Sequence, residues 1–161
     1  MTVSMTVQFP NPGKGDLSSD RNKNSAYAAT LNPQLPSTTV VTPATPVSIV
    51  SNTGANSNSP ILVAPVTSDS TAILGFAIAG YQTDNYVPGN RFDVAVGGME
   101  MIMEASVAMS AGTIVGCTYT SDIQIKPASG DSDSVQPIGI LLNAAVNAGD
   151  KVRVLITTPN I

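Results

Sequence analysis

Residues 137–156 of this chain place an apolar side chain at every second position on both sides of a loop of small residues. A period of two is typical of a strand that buries one face, whereas a helix repeats its apolar residues every three or four positions. Gly149 lies before the second apolar run, where a tight turn needs a permissive backbone. The segment therefore predicts two strands with one buried face. Their alternating residues are Ile138, Ile140 and Leu142, then Val152, Val154 and Ile156.

The same arrangement follows two other glycines. Apolar residues stand three, five and seven positions after Gly89 and Gly112, as they do after Gly149. Three matches in register predict a string of hairpin-like units built on one plan. The matching residues are Phe92, Val94 and Val96, then Val115, Cys117 and Tyr119, then Val152, Val154 and Ile156, and the preceding strand candidates are residues 73–79, 99–103 and 138–142.

Residues 99–109, MEMIMEASVAM, fit two patterns. A helix would place Met99 and Ile102 on one face, whereas a strand would place Met99 and Met101 on one face. Glycines on both sides of the segment favour a strand, a short loop and another strand. The methionines are interpreted as filler of an aliphatic core, because the thioether side chain adapts to irregular gaps.

The N-terminal third differs from the rest. Residues 24–68 carry no charge, and 8 of the 12 prolines lie at or before Pro65. Prolines at this density exclude a helix and disfavour central strands. Because disordered chains usually stay soluble through charge, an extended arm that pairs with another protein is favoured over a free linker. The predicted arm spans residues 1–59 and the body residues 60–161. The candidate contact residues of the arm are Tyr27, Leu31, Leu35, Val40, Val41, Val47 and Ile49.

These patterns together predict an all-β fold. The expected architecture is a small antiparallel β-barrel or a tulip-like sandwich, with the long extended N-terminal arm attached to it. The aliphatic pattern leaves the choice between a closed barrel and a more open sheet undecided. With 4% aromatic residues and no tryptophan, the core is expected to consist of aliphatic residues and methionine.

Charge and residue usage narrow the function classes. Only 11% of residues are charged and the net charge is −4 without a basic cluster, so neither nucleic acid nor a membrane surface is an expected partner. The chain has no histidine, which removes every Ser-His-Asp or Cys-His arrangement. A single cysteine, no visible signal peptide and no long apolar run lead us to expect a protein that folds in a reducing compartment.

Three sets of residues have side chains that could carry chemistry. Asp131 and Asp133 alternate as calcium ligands can, but they lack the further oxygen ligands that such a site needs, and whether they bind an ion stays open. Glu100 and Glu104 would stand about 13 Å apart on a strand, too far for an acid–base pair. Cys117 has no histidine partner and occupies a core-facing position. The sequence therefore predicts no catalytic, cofactor or metal site.

The C-terminal body resembles the capsid cement, or head decoration, proteins of tailed bacteriophages. The similarity rests on EASVAMSAGTIV at residues 104–115 and on PIGILLNAAVNAGDKVRVLI at residues 137–156, within residues 74–156. It implies a non-enzymatic virion protein without cofactors, assembled in the host cytoplasm. Such a protein binds the outer surface of an expanded capsid as a homotrimer and bridges major capsid proteins, with its arm running across neighbouring subunits.

A β-rich receptor- or carbohydrate-binding module of a virion or surface fibre is the alternative. Tyrosines that stack on sugars would be needed, and Tyr81 with Tyr86 at one exposed tip would favour this class. An enzyme is the third possibility, with Glu100, Glu104 or Asp131 as the residues on which turnover would depend.

Overall fold

The computed structural model describes residues 14–15, 27–51, 54, 59–80, 85–120, 122–128 and 135–158. Within these residues the regular secondary structure is entirely β, so the predicted all-β class is confirmed. The strands are β1 (Tyr27–Leu31), β2 (Pro46–Ile49), β3 (Leu62–Pro65), β4 (Gly75–Ala77), β5 (Arg91–Ala95), β6 (Glu100–Glu104), β7 (Ile114–Cys117), β8 (Ile125–Pro127), β9 (Gly139–Leu141) and β10 (Lys151–Ile156).

Strands β1 to β5, residues 27–95, form a closed barrel in the order β1-β3-β2-β4-β5. We call this the first unit. The pair β1–β3 is parallel, and the other pairs are antiparallel. Prolines fit into it because Pro46 is the first residue of β2 and Pro65 is the last residue of β3, positions at which a missing N–H costs least. The expectation that the prolines disfavour central strands was wrong for β2, which pairs on both sides.

The extended arm predicted for residues 1–59 is corrected for residues 27–51. They supply β1, β2 and the connection between them to the barrel, because their valines and leucines bury apolar surface within the chain itself. Gly15 is also buried: its N–H donates to the carbonyl of Ile102 at 2.8 Å, and its carbonyl accepts from the N–H of Ala79 at 3.1 Å. The predicted boundary near residue 59 therefore divides the barrel. Apart from Lys14, Gly54 and Ser59, the remaining residues of the predicted arm lie outside the described part.

Strands β6 to β10, residues 100–156, form the second unit, a sheet in the order β6-β10-β9-β7-β8. A parallel bridge between Ala105 and Ile125 brings β8 beside the end of β6. The N–H of Ser106 donates to the carbonyl of Ile125 at 2.9 Å at this bridge. The sheet therefore curls until its two outer strands meet.

The two units repeat one chain path. Each strand of the first unit matches the strand five places later, and the neighbours of every strand are then the same in both units. The registers agree as well. Val47 lies opposite Pro65 on one side and Gly75 on the other, and in the second unit the matching residues repeat both pairings. Val115 there lies opposite Pro127 and Gly139.

The interiors of the two units also correspond. Among the described residues, the core of the first unit contains nine buried residues, and each of these has a buried counterpart in the second unit. The matched pairs are Ala29 and Met103, Leu31 and Ala105, Val41 and Met109, Val47 and Val115, Val63 and Ile125, Ala77 and Leu141, Tyr86 and Ala145, Phe92 and Val152, and Val94 and Val154.

The structure confirms strands after all three glycines and corrects how they group. Strands β5, β7 and β10 follow Gly89, Gly112 and Gly149, each of which has a positive φ of 85–90°. Strand β6 before Gly112 pairs with β10 and not with β7, so the hairpin interpretation was wrong for that unit. The repeat is a five-stranded unit that occurs twice.

The ambiguous methionine segment is a strand, as predicted. Strand β6 spans Glu100–Glu104, and Met101 and Met103 face the core with 0% and 2% exposure. Met99 and Met109 on either side are buried as well, which confirms the interpretation of the methionines as core residues.

Candidate interaction surface

Three of the seven predicted contact residues lie in the interior of the first unit. Leu31, Val41 and Val47 each have 0% exposure and belong to its core. Their side chains cannot reach a partner while the barrel is closed, so the prediction that they bind one was wrong. The physical reason is that a run of uncharged β-formers found its pairing partners within the chain.

The other four predicted residues lie at or near the surface. Tyr27, Val40 and Ile49 are about half exposed, at 51%, 49% and 54%. Leu35 is partly buried and packs against the core of the first unit. The structure does not bring the exposed three together, because Val40 lies at the end of the barrel where β1 finishes, whereas Tyr27 and Ile49 lie at the opposite end.

Exposed apolar residues flank the same isolated bridge in both units. Val41 pairs with Tyr86 in the first unit, and Val40 and Val87 stand next to them with 49% and 42% exposure. In the second unit the pair is Met109 and Ala145, flanked by exposed Ala108 and by Val146 at 74%. We call these four flanking residues, together with Val107 at 46% exposure, the turn-end surface.

Turn chemistry fixes part of this surface. The side-chain oxygen Oδ1 of Asn90 accepts a hydrogen bond from the N–H of Val87 at 3.0 Å. In the second unit, Oδ2 of Asp150 accepts from the N–H groups of Val146 and Asn147 at 2.8 and 2.9 Å. Such Asx contacts order the backbone of a turn. Val87 and Val146 are therefore presented on ordered turns.

Sequence reasoning missed Val87, Val107 and Val146. The available signal was an apolar residue outside the strand alternation, beside a turn glycine or in a loop of small residues. Single exposed valines are common on protein surfaces, so that signal becomes informative only when both units place them at the same position.

A cluster of polar residues joins the two units. Oδ1 of Asp69, in the β3–β4 loop, accepts hydrogen bonds from the hydroxyl of Tyr119 at 2.8 Å and from the N–H of Gln136 at 3.0 Å. Nε2 of Gln136 donates to the carbonyl of Thr71 at 2.9 Å. Burial and the bond to Asp69 raise the pKa of Tyr119 far above its ordinary value. This cluster ties a loop of the first unit to the second.

Cys117 is a core residue, as the sequence indicated. Its exposure is 0%, and burial raises the pKa of its thiol to about 12, although a hydrogen bond with Tyr119 acts in the other direction. Thiolates, and not thiols, are the nucleophiles of cysteine chemistry. The thiol of Cys117 therefore stays protonated at neutral pH and serves as a small apolar side chain.

Of the remaining candidates for chemistry, the structure describes Glu100 and Glu104, which lie at opposite ends of one strand. Glu104 accepts a hydrogen bond from Nε2 of Gln124 at 2.6 Å, and Glu100 lies at the other end of β6. Asp131 and Asp133 lie outside the described residues. Among the residues that the structure describes, no three side chains of the metal-binding types cluster.

Tyr86 does not lie at an exposed tip, as the sugar-binding alternative would require. That residue is 5% exposed, its ring stacks on Phe92 with 4.6 Å between centroids, and its hydroxyl donates to the carbonyl of Ile78 at 2.7 Å. Tyr81 lies outside the described residues. Tyr86 is thus a core residue and offers no stacking platform.

Comparison with known proteins gave no match, either to a protein-family model or to a curated protein. Among the described residues, no helix has the length and apolar character required to cross a bilayer.

Proposed function

We propose that this chain is a structural virion protein that binds the outer surface of an expanded tailed-phage capsid and bridges neighbouring major capsid proteins. The turn-end surface is the observation that carries the proposal. It offers exposed apolar side chains at matched positions of two units, and covering apolar surface of this kind with a partner lowers the free energy because water is excluded from it.

The class of partner rests on the resemblance at residues 104–115 and 137–156. These residues supply the end of β6, the start of β7, and β9 and β10 of the second unit. The loop between β9 and β10 also carries Val146, the most exposed large apolar residue of the described chain. The pattern that resembles decoration proteins thus contains the second-unit part of the turn-end surface, namely Val107, Ala108 and Val146.

Two linked surfaces suit the bridging role. Because each unit presents its own apolar pair, one chain can contact two neighbouring capsid subunits, and the second contact forms at a high effective concentration. A homotrimer would multiply the number of linked contacts further. Slow release from the shell then requires no single contact of high affinity.

Co-sedimentation with expanded, decoration-free shells from a panel of tailed phages tests the proposal. We expect the full chain to pellet with its matching shell at a saturating stoichiometry. The double substitution Val87→Asp with Val146→Asp should weaken binding at least tenfold, because charge on a covered apolar contact is costly. Thr157→Asp adds an exposed charge at the opposite end of β10 and is the control.

Two results would contradict the proposal. The full chain could fail to bind any shell in the panel, which would remove the capsid as partner. Alternatively, the double variant could bind as tightly as the control, which would remove the turn-end surface from the contact.

A further inference from the structure

The two units share a fold but differ in which outer residues are covered. Six residues on the outer side of the first unit are buried, and Phe76 among them has 0% exposure. Five of the six belong to the continuous apolar cluster that fills the second unit, separate from the first unit's own core. The outer face of the first unit is therefore an interface with the second unit. Its residues are Ala44, Pro46, Val66, Ile73, Phe76 and Ala95.

The matching face of the second unit is not covered. Ile114 and Ile140 face each other across β7 and β9 with 52% and 37% exposure, where the first unit has Pro46 and Phe76. Every position remains uncharged, and none is fully buried. This second outer face consists of Gly112, Ile114, Ala128, Pro137, Ile140 and Leu155.

The ends of the units opposite the turn-end surface, which we call the far ends, show the reverse difference. In the second unit, Met101 and Cys117 at the far end have 0% exposure. Their counterparts in the first unit, Tyr27 and Ile49, have 51% and 54%. Three further pairs follow the same trend from partly buried to buried, namely Ile61 and Ile123, Leu74 and Ile138, and Val96 and Ile156.

These differences identify one interface within the chain and two exposed surfaces that correspond to its two sides. Within the chain, the outer face of the first unit joins the apolar cluster that includes the far end of the second unit. Ile114 and Ile140 on the outer face of the second unit, and Tyr27 and Ile49 at the far end of the first unit, are apolar and remain exposed in the described chain. Among the described residues, four of the eight exposed large hydrophobic residues lie on these two surfaces, at Tyr27, Ile49, Ile114 and Ile140.

We propose that a second copy of this chain completes the contact. The outer face of the second unit of one copy covers the far end of the first unit of the next copy, as the first unit covers the second within each chain. Such a contact is heterologous, so repeated application closes into a ring or continues as a filament. The side-chain sizes are complementary, since Ile140 is smaller than Phe76 and Ile49 is larger than Cys117.

The inference supplies the contact between the copies of the proposed decoration protein and rests on that proposal for the expectation of a trimer. A ring of three copies would contain six units joined alternately by peptide bonds and by this contact. The contact itself involves no capsid residue and is measured on the free chain, so its failure and a failure of capsid binding are separate results.

Sedimentation velocity of the full chain over a wide concentration range is the test. We expect the wild type to associate. Ile140→Glu and Ile49→Glu should each associate at least tenfold more weakly when alone, so that each sediments as a monomer at concentrations at which the wild type is associated. An equimolar mixture of the two variants should form a one-to-one dimer and nothing larger, because that pair retains one intact face and one intact far end. Ile114→Glu serves as a second face variant, and Thr38→Glu, exposed in the β1–β2 connection, serves as the control.

The mixture separates this contact from a symmetric one. If the outer faces of two copies met face to face, Ile49→Glu would still associate by itself. Mixing the two variants would then not restore the association that Ile140→Glu had lost. Either result would overturn the proposal, as would a wild type that stays monomeric at millimolar concentration. A monomeric wild type whose shell binding fell on Ile140→Glu would assign this face to the capsid and would likewise overturn self-association. Equal melting temperatures would show that the variants are folded.

Discussion

The backbone N–H of Gly149 donates a hydrogen bond to the carbonyl of Ala105 at 2.7 Å, and the N–H of Ala105 donates back to the carbonyl of Asp150 at 2.9 Å. In the part of the chain that the structure describes, the same two-bond clamp occurs at five turns. Each turn has a residue of positive φ at its third position, as a type II turn requires, and clamps a residue at or just beyond the end of a neighbouring strand. The turns are residues 42–45, 87–90, 96–99, 110–113 and 147–150, and their partners are Ala77, Leu31, Ile156, Leu141 and Ala105.

Replacing Gly149 by alanine should lower the free energy of unfolding by about 1–2 kcal/mol. Its φ is 89°, which is unfavourable for a residue with a Cβ atom, whereas a Cβ placed there would meet no atom within 4 Å. The loss would therefore be backbone strain alone. Urea denaturation measures it, with the exposed Ala148→Ser in the same turn as a control expected to stay within about 0.5 kcal/mol. Equal stability of the two variants would contradict this account of the turn.

Gly139→Ala should cost more, about 3 kcal/mol, for a different reason. A Cβ at Gly139 would collide with the backbone carbonyl oxygen of Leu155 and lie 2.8 Å from Cγ1 of Val154, so β9 could no longer approach β10. Gly75 in the first unit has the same surroundings, formed by Ala95 and Val94. A loss for Gly139→Ala no greater than for Gly149→Ala would show that the strands can separate to accept the methyl group.

Local patterns in the sequence predicted the strands well. The alternation around Val152 and Val154 and the turn glycines predicted β5, β7, β9 and β10, because these signals are read within a few residues. The sequence pattern did not predict the duplication because the two units differ in loop length. The first and second strands are joined by residues 32–45 in one unit and by residues 105–113 in the other. At the position that corresponds to Gly112, the first unit also has Ala44, which adopts a φ of 66°.

Which outer surfaces are exposed and which are buried could not be predicted from the residue pattern of single strands. Ile140 and Phe76 occupy matching positions, yet one is exposed and the other is buried. That difference arises from the packing of one unit on the other. The periodicity of residues within a strand carries no information on such packing. The arm was predicted wrongly for a related reason: Val41 and Val47 needed a pairing surface, and the sequence did not indicate that β3, β4 and Tyr86 of the same chain would supply it.

Removing the carboxylate of Asp69 should weaken the junction between the units. Tyr119 and Gln136 both donate to its Oδ1, and bonds to a charged acceptor are stronger than neutral ones, although partial exposure reduces their value. We expect Asp69→Ala to lower the free energy of unfolding by about 1 kcal/mol. Asp93→Ala, at an exposed strand position, is the matched control. Equal effects of the two substitutions would show that the Asp69 contacts contribute nothing measurable.

Stability should decline above pH 9 because of Cys117. Burial raises the pKa of its thiol from 9.0 to about 12, so between these values the unfolded chain loses a proton that the folded chain retains. The stabilisation is therefore complete below pH 9 and is lost as the pH rises towards 12. At pH 10 the loss should be on the order of 1 kcal/mol relative to pH 8. Tyr119, whose pKa is also raised, contributes in the same direction at higher pH. Denaturation of the wild type and of Cys117→Ala at both pH values measures the effect, and the variant should lose less stability over this interval. If the two proteins lost equal stability, the thiol would have to ionise as readily in the folded chain as in the unfolded one.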